Sequence, residues 1–306
     1  MTPLWIDTDM GFDDMLAIMM IRRSGRAIAG CSLVFGNTTL DRIRINAAGM
    51  AALWGWDFPA YDGASESIAA TVITAQNILG RSGLPTLGRQ LPETQPLPER
   101  APAVAALARW LEEVDAPADI LALGPLTNLG QLLQSRPDLV PRIACLTWMG
   151  GGATSGNHTA AAEFNAFADP EAAAIVFSAG VPVKMIDLDM CRQVTMAPPD
   201  LDELREQPSE KAMLLHDLLG GFVDIGVSKG RPSQPIFDPV AAACVIDEAT
   251  VALEPAAIRI DTSDGPLRGR TTVDRHPDGL HQIGCRVDAT CIRRMAMDAM
   301  VDAAKL

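Results

Sequence analysis

The run Ile6-Asp7-Thr8-Asp9-Met10-Gly11-Phe12-Asp13-Asp14 sets four carboxylates between an apolar lead-in and an apolar stretch of helical character. Leu4, Trp5 and Ile6 predict a buried strand, Gly11 permits a sharp turn, and Asp14-Met15-Leu16-Ala17-Ile18-Met19-Met20 predicts a helix. A chain with this opening gathers its acids where a strand ends and a helix starts, which in open α/β sheets is the edge where ligands bind. Crowded there, Asp7, Asp9, Asp13 and Asp14 repel one another unless a cation or shared protons intervene. Three readings are open: a hard-metal site, an aspartyl nucleophile of phosphoryl transfer, or a helix N-terminus whose dipole favours acids. The last covers Asp13 and Asp14 but leaves Asp7 and Asp9 at the end of a buried strand, where unpaired carboxylates are costly. Oxygen-only ligands would favour calcium or magnesium over zinc.

Beyond this run, short β-like segments alternate with helical ones, the pattern of a Rossmann-like, open, mostly parallel sheet flanked by helices. Strands are expected at Ala29–Phe35, Ile120–Leu123, Ile143–Trp148 and Val183–Leu188. Helices are expected at Ile43–Leu53, Thr127–Gln134, Pro170–Ser178, Leu201–Glu206, Glu210–Leu219, Val240–Ile246 and Cys291–Ala304. Pro85 to Pro102 is rich in proline and without period, so it reads as a surface excursion, with a domain linker as the alternative. Val251–Asp274, with Gly265-Pro266 in its middle, resembles a hairpin. At 306 residues and 48% apolar content the chain can bury a full core, and 1–306 is read as a single domain.

Charge narrows the partners. A formal net charge of −13 argues against nucleic acid or an anionic membrane surface, both of which need a basic footprint, and favours a small neutral substrate. Apolar stretches break off well before membrane-spanning length, and Asp7 interrupts any signal-peptide reading, so a cytoplasmic location is expected. Six cysteines, at 31, 145, 191, 244, 285 and 291, are scattered without a CxxC pair and read as reduced core residues.

Five separated blocks, in order, resemble the inosine-uridine-preferring nucleoside hydrolase family. They are Asp7 to Asp14, similar to the family's DxDxGxDD signature; Phe35-Gly36-Asn37-Thr38-Thr39-Leu40; Leu123-Gly124-Pro125-Leu126-Thr127-Asn128-Leu129; the stretch from Met149-Gly150-Gly151 through Gly156-Asn157 to Glu163-Phe164-Asn165 and Asp169-Pro170-Glu171-Ala172; and Phe237-Asp238-Pro239. A later Gly269-Arg270-Thr271-Thr272-Val273-Asp274 is similar to a family turn. The resemblance spans nearly the whole chain and implies hydrolysis of the N-glycosidic bond of ribonucleosides to ribose and free base. It implies a calcium ion held by Asp9, Asp14, Asp238 and the backbone carbonyl of Leu123, with Asp9 also serving as general base. Asp13 would accept from the ribose 2′-hydroxyl, and Asn37, Met149, Asn157, Glu163 and Asn165 would clamp the sugar. The family forms dimers and tetramers, so a homodimer or homotetramer is expected by analogy. For each asparagine, turn or cap duty is the rival reading.

The chain departs from the family pattern on the base side. Phe237 stands where many members have histidine before the metal-binding aspartate, and Leu79 where a second histidine is frequent. Both departures remove obvious acids for the leaving base. Phe237 is expected either to stack on the nucleobase or simply to pack in the core, and His158, next to Asn157, is the candidate substitute acid. The motifs themselves contain no Arg or Lys clamp for a phosphate. Two rival functions remain at this level: a magnesium-dependent phosphohydrolase using Asp7 as nucleophile, and a non-catalytic nucleoside- or ribose-binding protein.

Overall fold

The computed structural model describes residues 2–306. Its strands, in chain order, are β1 (Leu4–Thr8), β2 (Ile28–Leu33), β3 (Ala60–Asp62), β4 (Ala118–Ala122), β5 (Ile143–Met149), β6 (Val183–Ile186), β7 (Thr195–Met196), β8 (Gln234–Pro235), β9 (Val251–Ile260), β10 (Thr271–Arg275) and β11 (His281–Val287). Nine of them form one sheet in the order β10-β9-β11-β6-β5-β4-β1-β2-β3. From β3 to β11 neighbouring strands are parallel, and β9 and β10 close the far edge antiparallel. The parallel part runs 3-2-1-4-5-6, the doubly wound order, whose direction of winding reverses between β1 and β4. That reversal opens a crevice beyond the carboxyl ends of these two strands.

Burial on both faces explains why β1 reads as a continuous apolar run rather than an alternating one. Leu4 and Ile6 belong to one core and Trp5 to the other, one on each side of the sheet. The two-residue period then sends Asp7 to the Trp5 side. There its carboxylate accepts from Ser32 Oγ and, at 2.8 Å, from Asn128 Nδ2. The helix Phe12–Arg23, all but two of whose residues are buried, packs against the helix Asp238–Ile246, so the two helices start side by side at the crevice.

The expected strands and helices are present with small changes of boundary, and 251–275 does form the antiparallel pair β9–β10. Residues 85–102 carry no helix or strand and are mostly exposed, as a surface excursion should be. The helix Glu210–Val227 runs well past the expected Leu219 because Gly220-Gly221 sits inside it: backbone at 85–86 lies within 2.5 Å of where a Gly221 Cβ would be. Several elements were not expected, the longest of them a helix and a strand. The helix Ala103–Glu113 follows directly on the proline-rich segment, and β11 threads between β9 and β6 with a sequence whose charged end resembles a loop. The reading of all six cysteines as core needs correction: Cys31, Cys191 and Cys244 are buried, Cys145 is half-buried, and Cys285 and Cys291 are exposed on elements whose outer faces meet solvent. All six are free thiols. Among the described residues no helix is long and apolar enough to cross a membrane.

Candidate active site

Asp9 emerges from β1 into the crevice through a turn that the backbone does not adopt readily. Met10 has φ 40, in the left-handed region, although it is not glycine. Strain of this kind costs on the order of 1–3 kcal/mol and persists only where surrounding contacts enforce it. Here the enforcement is visible. Thr8 Oγ1 accepts from Met10 N at 3.1 Å, Asn46 Nδ2 reaches the Met10 carbonyl at 3.3 Å, and Asp14 Oδ2 accepts from Gly11 N at 2.8 Å. Asp14 is therefore an anchor of the turn as well as an acid: it also takes Thr8 Oγ1 and, at 3.1 Å, Asn37 Nδ2.

Asn37, just beyond the end of β2, points both its backbone N–H (2.6 Å) and its Nδ2 (3.0 Å) at the Asp9 carboxylate. Such close approach is possible because the residue before it is glycine. A Cβ on Gly36 would lie 2.0 Å from Asp9 Oδ2, and one on Gly11 would lie 2.3 Å from Asn37 Nδ2. Asp13 receives backbone N–H groups of Asp13, Asp14 and Asp238, that is, of two converging helix N-termini. Aligned peptide dipoles and free N–H groups there favour negative charge, which is how the fold tolerates so many buried acids.

The stabilisation is incomplete. Burial and mutual repulsion hold Asp9 and Asp238 well above the usual carboxylate range and push Asp13 up to about 7, while burial raises Asp14 against the hydrogen bonds that lower it. Carboxylate oxygens of Asp13, Asp14 and Asp238 all lie within 4.8 Å of one another. The tightest trio thus contains Asp13 where the sequence pattern suggested Asp9, whose oxygens are engaged by Asn37.

Opposite the acids, β5 ends at Met149 and leads to Glu163, which caps the short helix Phe164–Ala168. Glu163 accepts from Gly151 N (2.9 Å), Asn165 N (2.8 Å) and Ala166 N (3.0 Å), yet burial still pushes it up to about 7. Asn165 donates Nδ2 to the carbonyls of Leu123 (2.9 Å) and Met149 (3.0 Å), tying the ends of β4 and β5 together and leaving Oδ1 as its spare acceptor. Asn157 Oδ1 accepts from Phe164 N at 2.9 Å. The cap and turn duties foreseen for these residues are therefore real, and they fix side chains that also line the cavity.

That cavity, about 340 Å³, is lined by Asp9, Asp13, Asn37, Leu79, Leu123, Met149, Asn157, His158, Glu163, Asn165, Phe237 and Asp238. Every residue assigned to the hydrolase site from the sequence is on this wall except Asp14, which is fully buried and joined to it through Asn37. The wall also includes Asn77, Ile78, Phe164, Phe222, Ile225, Gln234, Lys229 and Arg231, which the sequence motifs did not single out. The two cations lie outside the sequence motifs, just after the long helix that ends at Val227, so the absence of Lys or Arg from those motifs does not extend to the cavity wall. His158 packs against Phe167 with ring centroids 4.4 Å apart, and burial lowers its pKa, which disfavours the protonated ring. Asp7 is absent from the wall, because the strand period turns it to the opposite face of the sheet. Asp187 caps Leu188–Cys191 and accepts from Ala153 N at 2.9 Å, and so braces the Gly151–Gly152 loop.

Comparison with known proteins agrees with this geometry. The chain is 34% identical to the pyrimidine-specific ribonucleoside hydrolase RihA of Shewanella woodyi, over 90% of this chain and 88% of that protein. It is 32% identical to the RihA of Klebsiella pneumoniae, over 98% and 96%. A purine-preferring ribonucleoside hydrolase from Gardnerella vaginalis superposes with a TM-score of 0.91 at 26% identity, over 99% of both chains. Residues 4–301 match the family model described as inosine-uridine preferring nucleoside hydrolase, and with a matching sheet and an acidic crevice at its winding reversal, the chain belongs to that family of N-ribosyl hydrolases.

Proposed function

We propose that the chain, acting as one domain over 1–306, hydrolyses ribonucleosides to ribose and free base with calcium as its metal. The observation that supports this reading is the meeting of Asp9, Asp13 and Asp238 with Asn37, Glu163 and Asn165 around one cavity. The donor set suits calcium: all oxygen, buried, and raised in pKa by mutual repulsion that a divalent cation would relieve. Asp14 and Asp238 would hold the ion with Asp9 and the Leu123 carbonyl, and the short distance of Asp13 from both acids brings it to the same ion or to a hydroxyl beside it. Once bound, calcium supplies positive charge that acidifies a water and orients sugar hydroxyls.

The remaining work falls to the chain's own groups. Asp9 receives the proton of the attacking water, and the paired N–H groups of Asn37 keep its carboxylate aimed and favour its anionic form against the burial that opposes it. Asp13 accepts from the 2′-hydroxyl. Asn165 Oδ1, Asn157 and Glu163 pair the other hydroxyls, and because each is already fixed by backbone contacts, little ordering is lost on binding. Departure of the base leaves positive charge on the sugar ring, which the surrounding carboxylates favour. Phe237, Leu79 and Ile78 form the apolar wall against which a flat base would lie. Relatives named pyrimidine-specific and a structural match named purine-preferring share this fold, so base choice belongs to that wall rather than to the acids.

A reducing-sugar assay over purine and pyrimidine ribonucleosides, before and after chelation and calcium return, tests the proposal. Sugar release that vanishes with chelator and returns with calcium is expected. Nucleoside binding without sugar release, or phosphate release from a monoester instead, would overturn it.

A further inference from the structure

The cavity is electrically divided. Asp9, Asp13, Glu163 and Asp238 on its wall are buried, whereas Lys229 and Arg231, the only cationic side chains on that wall, are exposed. Acids thus occupy the floor and cations the rim. The cations sit on a firmly held turn: Arg231 N donates to the Gly226 carbonyl at 3.1 Å, Gly230 N donates to Val227 O at 2.9 Å, and Gly230 takes φ 77 to close the helix Glu210–Val227. Arg231 Nη2 is further fixed by Gln234 Oε1 at 2.9 Å, and Gln234 is itself buried and paired into β8. Among the described residues, neither Lys229 nor Arg231 has a carboxylate partner in an ion pair. A positive charge after a helix complements the helix dipole, which accounts for a cation in this turn. It does not account for two on the wall of a cavity whose other end is acidic.

Chemistry at the base end creates a need for them. When the bond between the sugar C1′ and the base nitrogen breaks, its electron pair leaves with the base, while the water oxygen bonds to C1′ and the water proton passes to Asp9. The base must then be protonated in place or be stabilised as an anion. Phe237 and Leu79 offer no proton, and the packing of His158 against the Phe167 ring disfavours its protonated form. Resting on the hydrolase reading above, we propose that Lys229 and Arg231 receive the departing base as an anion, which takes its proton from solvent after release. The substrate class this selects is a ribonucleoside whose base is acidic and bears carbonyl oxygens beside the ring nitrogens, a pyrimidinedione, since such a base spreads its negative charge onto oxygens that Lys and Arg can pair.

The test uses the calcium-loaded protein, the Lys229→Ala/Arg231→Ala double variant, Arg231→Lys, and Arg109→Ala as a control on the exposed side of the helix Ala103–Glu113. Uridine kcat/KM is expected to fall about 100-fold in the double variant, 5-fluorouridine to fall less because its base is the more stable anion, and Arg231→Lys to retain most activity. A direct binding readout accompanies the kinetics. The dissociation constant of 5-nitrouracil, ionised at neutral pH, should rise at least about tenfold in the double variant while that of neutral uracil stays within about twofold. Equal losses for uridine and 5-fluorouridine, or unchanged 5-nitrouracil binding, would overturn the proposal. So would a loss confined to uridine 5′-monophosphate, because the cations would then be reading a phosphate. If no nucleoside is cleaved by the unaltered protein, the hydrolase reading fails, whereas 5-nitrouracil binding lost only in the double variant would still support the cationic base end.

Discussion

The floor and the rim of the cavity are built on different principles. At the floor, side chains come from residues at strand ends and helix starts and are buried, and Asp9, Glu163 and Asn165 are each held by at least two hydrogen bonds; Asp14 alone takes four. At the rim, Ile78, Leu79, Lys229 and Arg231 come from a four-residue helix and a turn and are exposed or half-buried. A floor of this kind tolerates little change, because moving one carboxylate disturbs its neighbours through the low-dielectric interior. At the rim the turn is held by its backbone while its side chains are exposed, so they can vary at little cost to the fold. On the proposed reading the reaction belongs to one region and the choice of substrate to the other.

Asp9→Asn is expected to break the floor most severely, with kcat reduced about 1000-fold or more while the circular-dichroism spectrum is kept, since an amide cannot accept the proton. An activity loss of less than tenfold would remove Asp9 from the chemistry. Gly36→Ala should be nearly as informative. The added methyl meets Asp9 Oδ2, so the carboxylate has to turn away from Asn37, and a kcat loss of about 100-fold with little change in melting temperature is expected. Unaltered kcat would show that the Asp9–Asn37 pairing is dispensable.

The rim should respond more mildly and more selectively. Phe237→Ala is expected to lower kcat/KM about tenfold, by different factors for inosine and uridine, through loss of the stacking wall. Unchanged rates on both would return Phe237 to ordinary packing. The smallest effect separates the regions by stability rather than rate. Glu163, with its pKa raised from 4.5 to about 7, and Asp13, raised from 3.8 to about 7, bind protons more tightly folded than unfolded. Their contribution to stability is present at low pH and lost as pH rises from about 4 through 7. Chelator-treated protein should therefore melt several degrees higher at pH 5.5 than at pH 7.5, and calcium should restore the loss at pH 7.5. A melting temperature that is flat with pH and indifferent to calcium would contradict the picture of an acid-crowded floor.

The same contrast explains how far the sequence could be read. Floor residues have fixed spacing: Asp9 to Asp14 spans a strand end and a helix start, and Glu163 caps a helix that begins at the next residue, so their types and intervals follow from local geometry. The parallel sheet was legible for the same reason, since β1, β4, β5 and β6 are apolar runs that stop at Gly, Asn or Asp. Lys229 and Arg231 were not legible, because a cation after a helix is ordinary and only the three-dimensional path of the turn brings it to the cavity. Strand β11 escaped because pairing with β9 and β6, rather than its own composition, makes it a strand. Asp13 in the tight trio with Asp14 and Asp238 depends on the docking of two helices from opposite parts of the chain, which spacing along one helix cannot express.

That docking has a consequence for how the molecule matures. Because Asp238 meets Asp13 and Asp14 only where helices from opposite parts of the chain dock beside the completed sheet, an intact acidic trio is a certificate that the long-range topology is correct. Until charge on the trio is neutralised, repulsion pries at the very seam between the first helix and the one that follows Phe237, so a misassembled or half-assembled chain would have neither the grip nor the reactivity of the finished one.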